Sequence, residues 1–151
     1  MTDDGAIQIR PMAAGDIAAV TRLAVQLGYA VDETAIGRRL DRYAGSSVHL
    51  LIVAEWGGVI VGWAHALERP LLHEPLHAEL GGLVVDEAAR GTGVGSAMLG
   101  VVDAWAASRG HDGIWLHSRV ERTEAHRFYP SHGFDRIKTS HVYYRSIRRP
   151  G

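Results

Sequence analysis

The sequence contains no cysteine, no excess of one charge and no long hydrophobic run. The lack of cysteine excludes disulfides, a Cys-ligated metal site and a cysteinyl acyl intermediate. Sixteen basic and seventeen acidic residues give a net charge of −1, and this balance argues against nucleic acid as a partner. The longest apolar run, 50–54, is far too short to span a bilayer, so no membrane partner is expected.

The length and the composition of the sequence favour one globular domain. The chain has 151 residues, of which 46% are hydrophobic and 22% charged, as is ordinary for a globular protein. No repeat, low-complexity tract or Pro/Gly/Ser linker divides it. We therefore expect a single domain over residues 1–151. The N-terminus is acidic and lacks the features of a signal peptide, which favours a cytoplasmic location.

Hydrophobic periodicity predicts the element order β-α-α-β-β-β-α-β-α-β. The predicted strands cover 7–10, 48–55, 59–67, 77–85, 113–117 and 141–145. Gly28 is suited to end the first helix, Asp32 to cap the second, Gly110 to end the third and Thr123 to cap the fourth. This order predicts an α/β protein in which helices cover a mixed sheet.

Paired glycines mark two special positions in the predicted strands. Gly57 and Gly58 separate two β-rich runs and predict a hairpin, because glycine readily adopts positive φ. Gly81 and Gly82 lie inside another run, which indicates a bulge or a close approach of the backbone.

A glycine-rich segment lies between a strand and the third helix. The strand ends in Leu83, Val84 and Val85, and the segment reads Arg90, Gly91, Thr92, Gly93, Val94, Gly95 and Ser96. Three glycines in five residues let successive backbone N–H groups turn toward one point at the start of a helix, where the helix dipole is positive. The segment therefore predicts a phosphate site, although an ordinary glycine-rich turn would have the same composition.

Two well-known phosphate motifs do not fit this segment. A Walker A loop requires Lys after its last glycine, and no Lys occurs nearby. A dinucleotide fingerprint requires glycine where Ser96 or Met98 stands, depending on the starting glycine. Neither a P-loop nucleotide site nor a Rossmann site is therefore expected.

Two motifs together resemble the GNAT superfamily of N-acetyltransferases. Arg90, Gly93 and Gly95 satisfy the pattern [RQ]-x-x-G-x-[GA]. About 35 residues later, the run AHRFYPSHGF, residues 125–134, is similar to the family segment A-x-x-F-Y-x-x-x-G-F. The resemblance implies a GNAT-like, mostly antiparallel central sheet of about six or seven strands with four flanking helices.

The resemblance also implies acetyl-CoA as co-substrate and a set of residues that bind it. In the family the glycine-rich segment holds the pyrophosphate, and a bulge in the preceding strand frees backbone groups for the pantetheine arm. The implied cofactor-binding residues here are Leu83, Val84, Val85, Arg90, Gly91, Thr92, Gly93, Val94, Gly95, Ser96, Arg119 and Phe128. Arg119 stands where many relatives carry Asn, so it departs from the pattern, although it could reach a CoA phosphate.

Tyr129 is the predicted general acid, as the resemblance implies. Acetyl transfer to an amine expels a thiolate, which a phenol with a pKa near 10 can protonate at neutral pH. The alternative role of Tyr129 is packing in the core beside Phe128. Pro130 follows directly and predicts a short or kinked helix.

Glu79 is the candidate general base. It lies eleven residues before Arg90, the spacing that the histone-acetylating branch of the family uses for its base. A water chain could take this role instead, and Glu79 could face solvent or contact the substrate ammonium. The lack of cysteine favours direct attack of the amine on acetyl-CoA.

The acceptor is the least specified part of the prediction. By resemblance, the first two helices and the final strands form its pocket, and the candidate residues are Tyr29, Glu33, Trp63 and His65. A residue of this kind is more often a cap or a packing residue than a ligand contact. His73 and His77 have a spacing that suits a metal on a helix, but Pro75 argues against that helix, so no metal is expected.

The leading hypothesis is an N-acetyltransferase acting on a primary amine of a small molecule, such as a polyamine, an aminoglycoside or an amino-acid derivative. Acetylation of a protein N-terminus or lysine and a non-catalytic acyl-CoA-binding domain are the alternatives. A homodimer through exposed strand edges is expected by analogy alone.

Overall fold

The structure is a computed structural model that describes residues 5–118 and 123–148. The described residues form two compact units, one ending at His117 and the other beginning at Ser118. We call them the first and the second unit.

The first unit is built on a five-stranded sheet. The strands are β1 (Gln8–Pro11), β2 (His49–Trp56), β3 (Val59–Arg69), β4 (His77–Val85) and β5 (Ile114–Trp115). They lie in sequence order, and every neighbouring pair is antiparallel except β4 and β5, which are parallel.

Three helices of the first unit accompany the sheet. They are α1 (Ile17–Gln26), α2 (Glu33–Tyr43) and α3 (Val94–Ser108), with short 3₁₀ helices at Ala14–Asp16 and Glu87–Ala89. The second unit contains α4 (Thr123–Ser131). Within the two described stretches of chain, no helix has both the length and the apolar character needed to span a membrane.

The ends of α1 and α2 are fixed by the residues that the sequence indicated. Gly28 adopts φ of 91° just after α1, and the next N–H, of Tyr29, returns to the carbonyl oxygen of Ala24 at 3.1 Å. Asp32 precedes α2, and its carboxylate accepts a hydrogen bond of 2.8 Å from the N–H of Ala35. Both predicted caps are confirmed.

Helix α3 packs unusually closely on β3 because Gly62 has no side chain. A Cβ atom at Gly62 would lie 2.9 Å from the carbonyl oxygen of Val84, 3.0 Å from Cε of Met98 and 3.1 Å from Cγ1 of Val94. Met98 and Val102 of this helix are fully buried. The start of α3 is therefore held directly against β3 and the end of β4.

The opposite face of the sheet receives α1 and α2. Side chains alternate between faces along a strand, so Trp63 and His65 of β3 point away from the face that Gly62 shares with α3. Val20 and Ala24 of α1 line a cavity together with Trp63 and His65. The sheet thus separates the α3 side from the side of α1 and α2.

The paired glycines take the predicted roles. Gly57 and Gly58 connect β2 to β3 with φ of 60° and 78°, the double positive φ of a tight hairpin turn. In β4, His65 pairs with Gly82 and Ala66 pairs with Leu80, so Gly81 is an extra, bulged residue.

The mixed α+β fold with four helices is confirmed, but the number of strands is lower than predicted. Five strands are present in the described ranges rather than six or seven, and the predicted strand at 113–117 shortens to Ile114–Trp115.

The predicted last strand, 141–145, is wrong, because residues 134–146 have no regular structure. Val142, Tyr143 and Tyr144 are 84%, 90% and 88% exposed. β-propensity gives a strand only where a neighbouring strand supplies hydrogen bonds and packing, which this segment does not have.

Candidate functional site

The segment between β4 and α3 has the geometry of an anion-binding turn. Gly91 and Gly93 adopt φ of 78° and 93°, which residues with a side chain rarely adopt. Gly93 is the N-cap of α3 and therefore supplies no capping side chain. Because the first N–H groups of a helix have no partner within it, the turn presents donors at a positive helix end.

The same turn is open to a ligand. No atom lies within 4 Å of a Cβ built on Gly91 or Gly93, and residues 90–93 are exposed. The Thr92 hydroxyl donates back to the carbonyl oxygen of Ala89, which closes the turn on itself. Glycine is thus required here by backbone conformation and not by crowding.

Hydrogen bonds to Asp86 connect the segment before this turn to α1. The sequence alone did not predict this connection. Its carboxylate accepts from the N–H of Ala88 at 3.1 Å, from Gln26 at 3.3 Å and from Arg22 at 3.4 Å. These donors, the Ala88 N–H first among them, hold the pKa of Asp86 below its usual range. Gln26 also accepts from the N–H of Glu87 at 3.0 Å.

One edge of β4 is largely without a strand partner. Its register with β5 covers only the pairs Ala78–Ile114 and Glu79–Trp115. Toward the glycine turn, residues 83–85 pair with β3 alone among the described strands. The side chain of Val84 is buried, so a ligand at this edge would meet its backbone. No described strand therefore takes up the backbone groups on this edge.

A cavity of about 210 Å³ lies on the α1 and α2 side of the sheet. Tyr29, Trp63 and His65, three of the four predicted acceptor residues, line it together. Glu33, the fourth, lies in the first turn of α2 and is not among the lining residues. The bulged segment of Gly81 and Gly82 forms part of the same wall, so the cavity reaches β4.

An aromatic stack supports His65 at the edge of this cavity. The ring nitrogens of His49 (Nδ1) and His65 (Nε2) are 2.9 Å apart, and Tyr43 stacks on His49 with ring centroids 4.3 Å apart. Burial first, and the neighbouring His49 second, lower the pKa of His65 to about 4. His65 is therefore a neutral imidazole at physiological pH.

Glu79 lies on the face of the sheet that carries Trp63 and His65, but it is not one of the residues that line the cavity. It pairs with Leu67, which alternates with Trp63 and His65 along β3. Its carboxylate is 3.8 Å from Nε of Arg69 and 3.8 Å from Nδ1 of His117. Its side chain is 29% exposed, so it is neither buried nor fully in solvent.

Tyr129 and Phe128 belong to α4 of the second unit. Tyr129 is half-buried, and its ring contacts those of Phe128 and Phe134 edge-on at centroid distances of 5.3 and 5.6 Å. The helix has nine residues with Pro130 in its last turn, as the prediction of a short helix required. Arg119, the remaining predicted cofactor residue, lies outside the described residues.

The sequence matches the model of the Acetyltransferase (GNAT) family over residues 16–134, which include both motifs. The chain belongs to this family. The expected class of enzyme, an N-acetyltransferase of the GNAT superfamily, is thereby confirmed. A comparison with curated proteins gives no match.

Solved structures share the GNAT fold over nearly their whole length. An aminoglycoside N-acetyltransferase AAC(6')-Iy in complex with CoA has a TM-score of 0.85 at 19% identity, covering 98% of this chain and 99% of that one. Glucosamine-6-phosphate N-acetyltransferase from Arabidopsis thaliana has 0.80 at 20%, covering 93% and 99%. A transcriptional regulator from Bacillus halodurans C-125 has 0.81 at 26%, covering 92% and 99%.

The sequence reasoning also missed two residues of the GNAT cavity, Arg39 and Tyr43. The sequence does contain a signal, because Ile36, Leu40 and Tyr43 have helical spacing and share one face of α2. Arg39 follows Ile36 by three residues and precedes Tyr43 by four, which places it on that face.

The low pKa of His65 predicts a specific loss of stability in acid. The unfolded chain binds this proton near pH 6.5 and the folded chain only near pH 4, so stability falls as the pH falls through this window. Because solvent partly reaches the cavity, we expect the free energy of unfolding to fall by about 1–2 kcal/mol over this window. Urea unfolding of wild type and His65→Gln between pH 7 and 4.5 measures it.

The variant should have a shallower acid dependence than the wild type, whatever its absolute stability. His73→Gln, in an exposed loop, is the matched control and should keep the wild-type slope. Equal slopes for wild type and His65→Gln would show that His65 is not held neutral by the fold.

Proposed function

We propose that this GNAT protein transfers the acetyl group of acetyl-CoA directly to the primary amine of a small molecule. The observation that carries the proposal is the glycine turn at the start of α3, next to residues 83–85 of β4, which pair with β3 alone among the described strands. A phosphate ligand and an extended amide-containing arm are the two chemistries that these neighbouring features fit. The cavity reaching Gly81 and Gly82 supplies room for an acceptor beside the same strand.

Acetyl-CoA fits these features part by part. The pyrophosphate would accept hydrogen bonds from backbone N–H groups of Gly91 to Ser96, and Arg90 would add positive charge at the exposed mouth. The amides of the pantetheine arm would bond the backbone of residues 83–85. Phe128 and Arg119 remain proposed contacts on the strength of the family motif.

The proposed reaction needs two proton transfers. The amine nitrogen attacks the thioester carbonyl carbon, the carbon–sulfur bond breaks, and the amine loses a proton while the thiolate gains one. Glu79, or water that it orders, would accept the first proton, and Tyr129 would donate the second. Arg69 and His117 hold the Glu79 carboxylate in place on the acceptor side of the sheet.

We further propose that the two units act as one GNAT domain, because the family match runs through both. Association of two copies through a sheet edge, β1 or β5, stays a prediction. A non-catalytic acyl-CoA-binding role is the competing proposal, and the chemistry of Tyr129 separates the two.

The cofactor proposal is tested by substitution of Gly93. Gly93→Asp places a carboxylate where the pyrophosphate would lie, whereas Gly93→Asn introduces a neutral side chain of the same shape at the same left-handed φ. Acetyl-CoA should raise the melting temperature of the wild type, and its dissociation constant should be at least about tenfold weaker in Gly93→Asp than in Gly93→Asn. Calorimetric titration gives the three constants.

Because both variants share the backbone strain, the difference between them isolates the charge. A wild type that does not bind acetyl-CoA, or a Gly93→Asp variant that binds it as tightly as the wild type, would remove the turn as the pyrophosphate site.

The role of Tyr129 is tested by removing its hydroxyl alone. Tyr129→Phe keeps the ring contacts with Phe128 and Phe134, so the fold and acetyl-CoA binding should be retained. Turnover should fall by about 10²-fold or more, the usual contribution of a general acid. Free CoA released with an amine acceptor reports the rate.

Tyr144→Phe is the matched control, since Tyr144 is 88% exposed, and it should leave turnover unchanged. Unchanged turnover in Tyr129→Phe would exclude Tyr129 as the acid.

A further inference from the structure

The described residues that line the acceptor cavity carry positive charge only. Of the described residues that line it, Arg39 alone is charged at neutral pH, and none bears a carboxylate. His65, the other ionisable base on the wall, is neutral there because of its burial. Glu79, the nearest carboxylate along β4, lies outside the lining and faces Arg69 and His117.

The position of Arg39 on α2 directs it toward the cavity. It lies on the face of α2 that carries Ile36, Leu40 and Tyr43, all of which line the cavity. It makes no hydrogen bond or ion pair with any other residue in the described ranges. Its neighbour Arg38 is not a lining residue, so the helix presents one guanidinium to the cavity and another elsewhere.

The remaining walls suit an apolar or aromatic group. Leu51, Val20 and Leu40 contribute aliphatic surface, and Tyr43 and His65 contribute ring faces. The indole of Trp63 adds a further ring to this wall. The cavity volume of about 210 Å³ is below the range of roughly 300–1,000 Å³ that is typical for drug-sized ligands.

We propose that the acceptor is a small amino acid with an apolar or aromatic side chain, whose carboxylate binds Arg39 and whose side chain fills the cavity. This inference rests on the proposed acetyl transfer and specifies its acceptor. A guanidinium is the side chain best suited to a carboxylate, with two parallel N–H donors.

The same charges disfavour the polycationic acceptors. A polyamine or an aminoglycoside would bring additional ammonium groups next to Arg39, and no carboxylate among the described lining residues would offset them. A sugar phosphate would place several hydroxyl groups against aliphatic and aromatic walls that offer them few partners. A single amine keeps this repulsion smallest, while one carboxylate and one apolar group match the described lining.

The test compares acceptors that differ only in the carboxylate. L-Phenylalanine and 2-phenylethylamine share the ring and the primary amine, and spermidine, kanamycin and glucosamine 6-phosphate represent the disfavoured classes. Steady-state release of CoA is measured with full-length wild type, Arg39→Gln and Arg38→Gln. L-Leucine and 3-methylbutylamine repeat the comparison with an aliphatic side chain.

The wild type should have its highest kcat/KM with one of the two amino acids. Arg39→Gln should lower kcat/KM for that amino acid about tenfold, through KM, while the matched amine changes less than twofold. Arg38→Gln should behave as the wild type with every acceptor. A merely structural role of Arg39 would instead lower the rates with both members of a pair.

Three results would overturn the inference. These are a higher kcat/KM with spermidine, kanamycin or glucosamine 6-phosphate, an equal effect of Arg39→Gln on amino acid and amine, or acetyl-CoA binding without acetylation of either amino acid. All three leave the cofactor assignment standing. Failure to bind acetyl-CoA at all would instead contradict the proposed function itself.

Discussion

The architecture depends on how β4 is paired. Over its first residues this strand has neighbours on both edges, but the parallel register with β5 ends after two pairs. On the opposite edge, the bulge at Gly81 shifts the register with β3. The chain then has to cross from β4 to β5 through α3, and Gly62 lets the start of that helix lie directly on β3. The glycine turn is therefore fixed beside residues 83–85 of β4, whose edge away from β3 has no strand partner among the described residues.

In this arrangement, the proposed cofactor site lies along the edge of β4 and the proposed acceptor site lies on its face. The turn and the edge of β4 present backbone donors and acceptors, which suit a ligand with phosphates and amides. The face toward α1 and α2 presents side chains, among them the neutral His65 and the exposed guanidinium of Arg39. The bulge connects the two, because Gly81 and Gly82 lie in the cavity wall and in β4 at once. Asp86, just before the turn, accepts hydrogen bonds from side chains of α1, and α1 also lines the cavity.

The parts of the fold that depend on local chemistry could be predicted from the sequence. Gly28, Asp32 and the Gly57-Gly58 hairpin behave as their backbone preferences dictate, and the β4–turn–α3 unit follows from its glycines and its apolar spacing. Strand pairing is not local, and there the prediction failed. The segment 141–145 has the composition of a strand but no strand neighbour among the described residues, and β5 is shorter than its apolar pattern.

The site residues likewise divide into those that the sequence predicted and those that depend on packing between elements. Tyr29, Trp63 and His65 were found from their place in the family fold, whereas Arg39 required knowing which face of α2 meets the cavity, and Asp86 required knowing that α1 lies next to the turn.

In the proposed complex, one acetyl-CoA molecule spans the edge of β4 at residues 83–85 and the glycine turn. Hydrogen–deuterium exchange of the full chain, with and without saturating acetyl-CoA, tests it most directly because it reports on backbone N–H groups. Exchange should slow in peptides covering residues 83–85 and 91–96, while β1 and the hairpin turn at Gly57 and Gly58 should keep their rates. Saturable binding that leaves both segments unprotected, or that protects the hairpin turn instead, would contradict it.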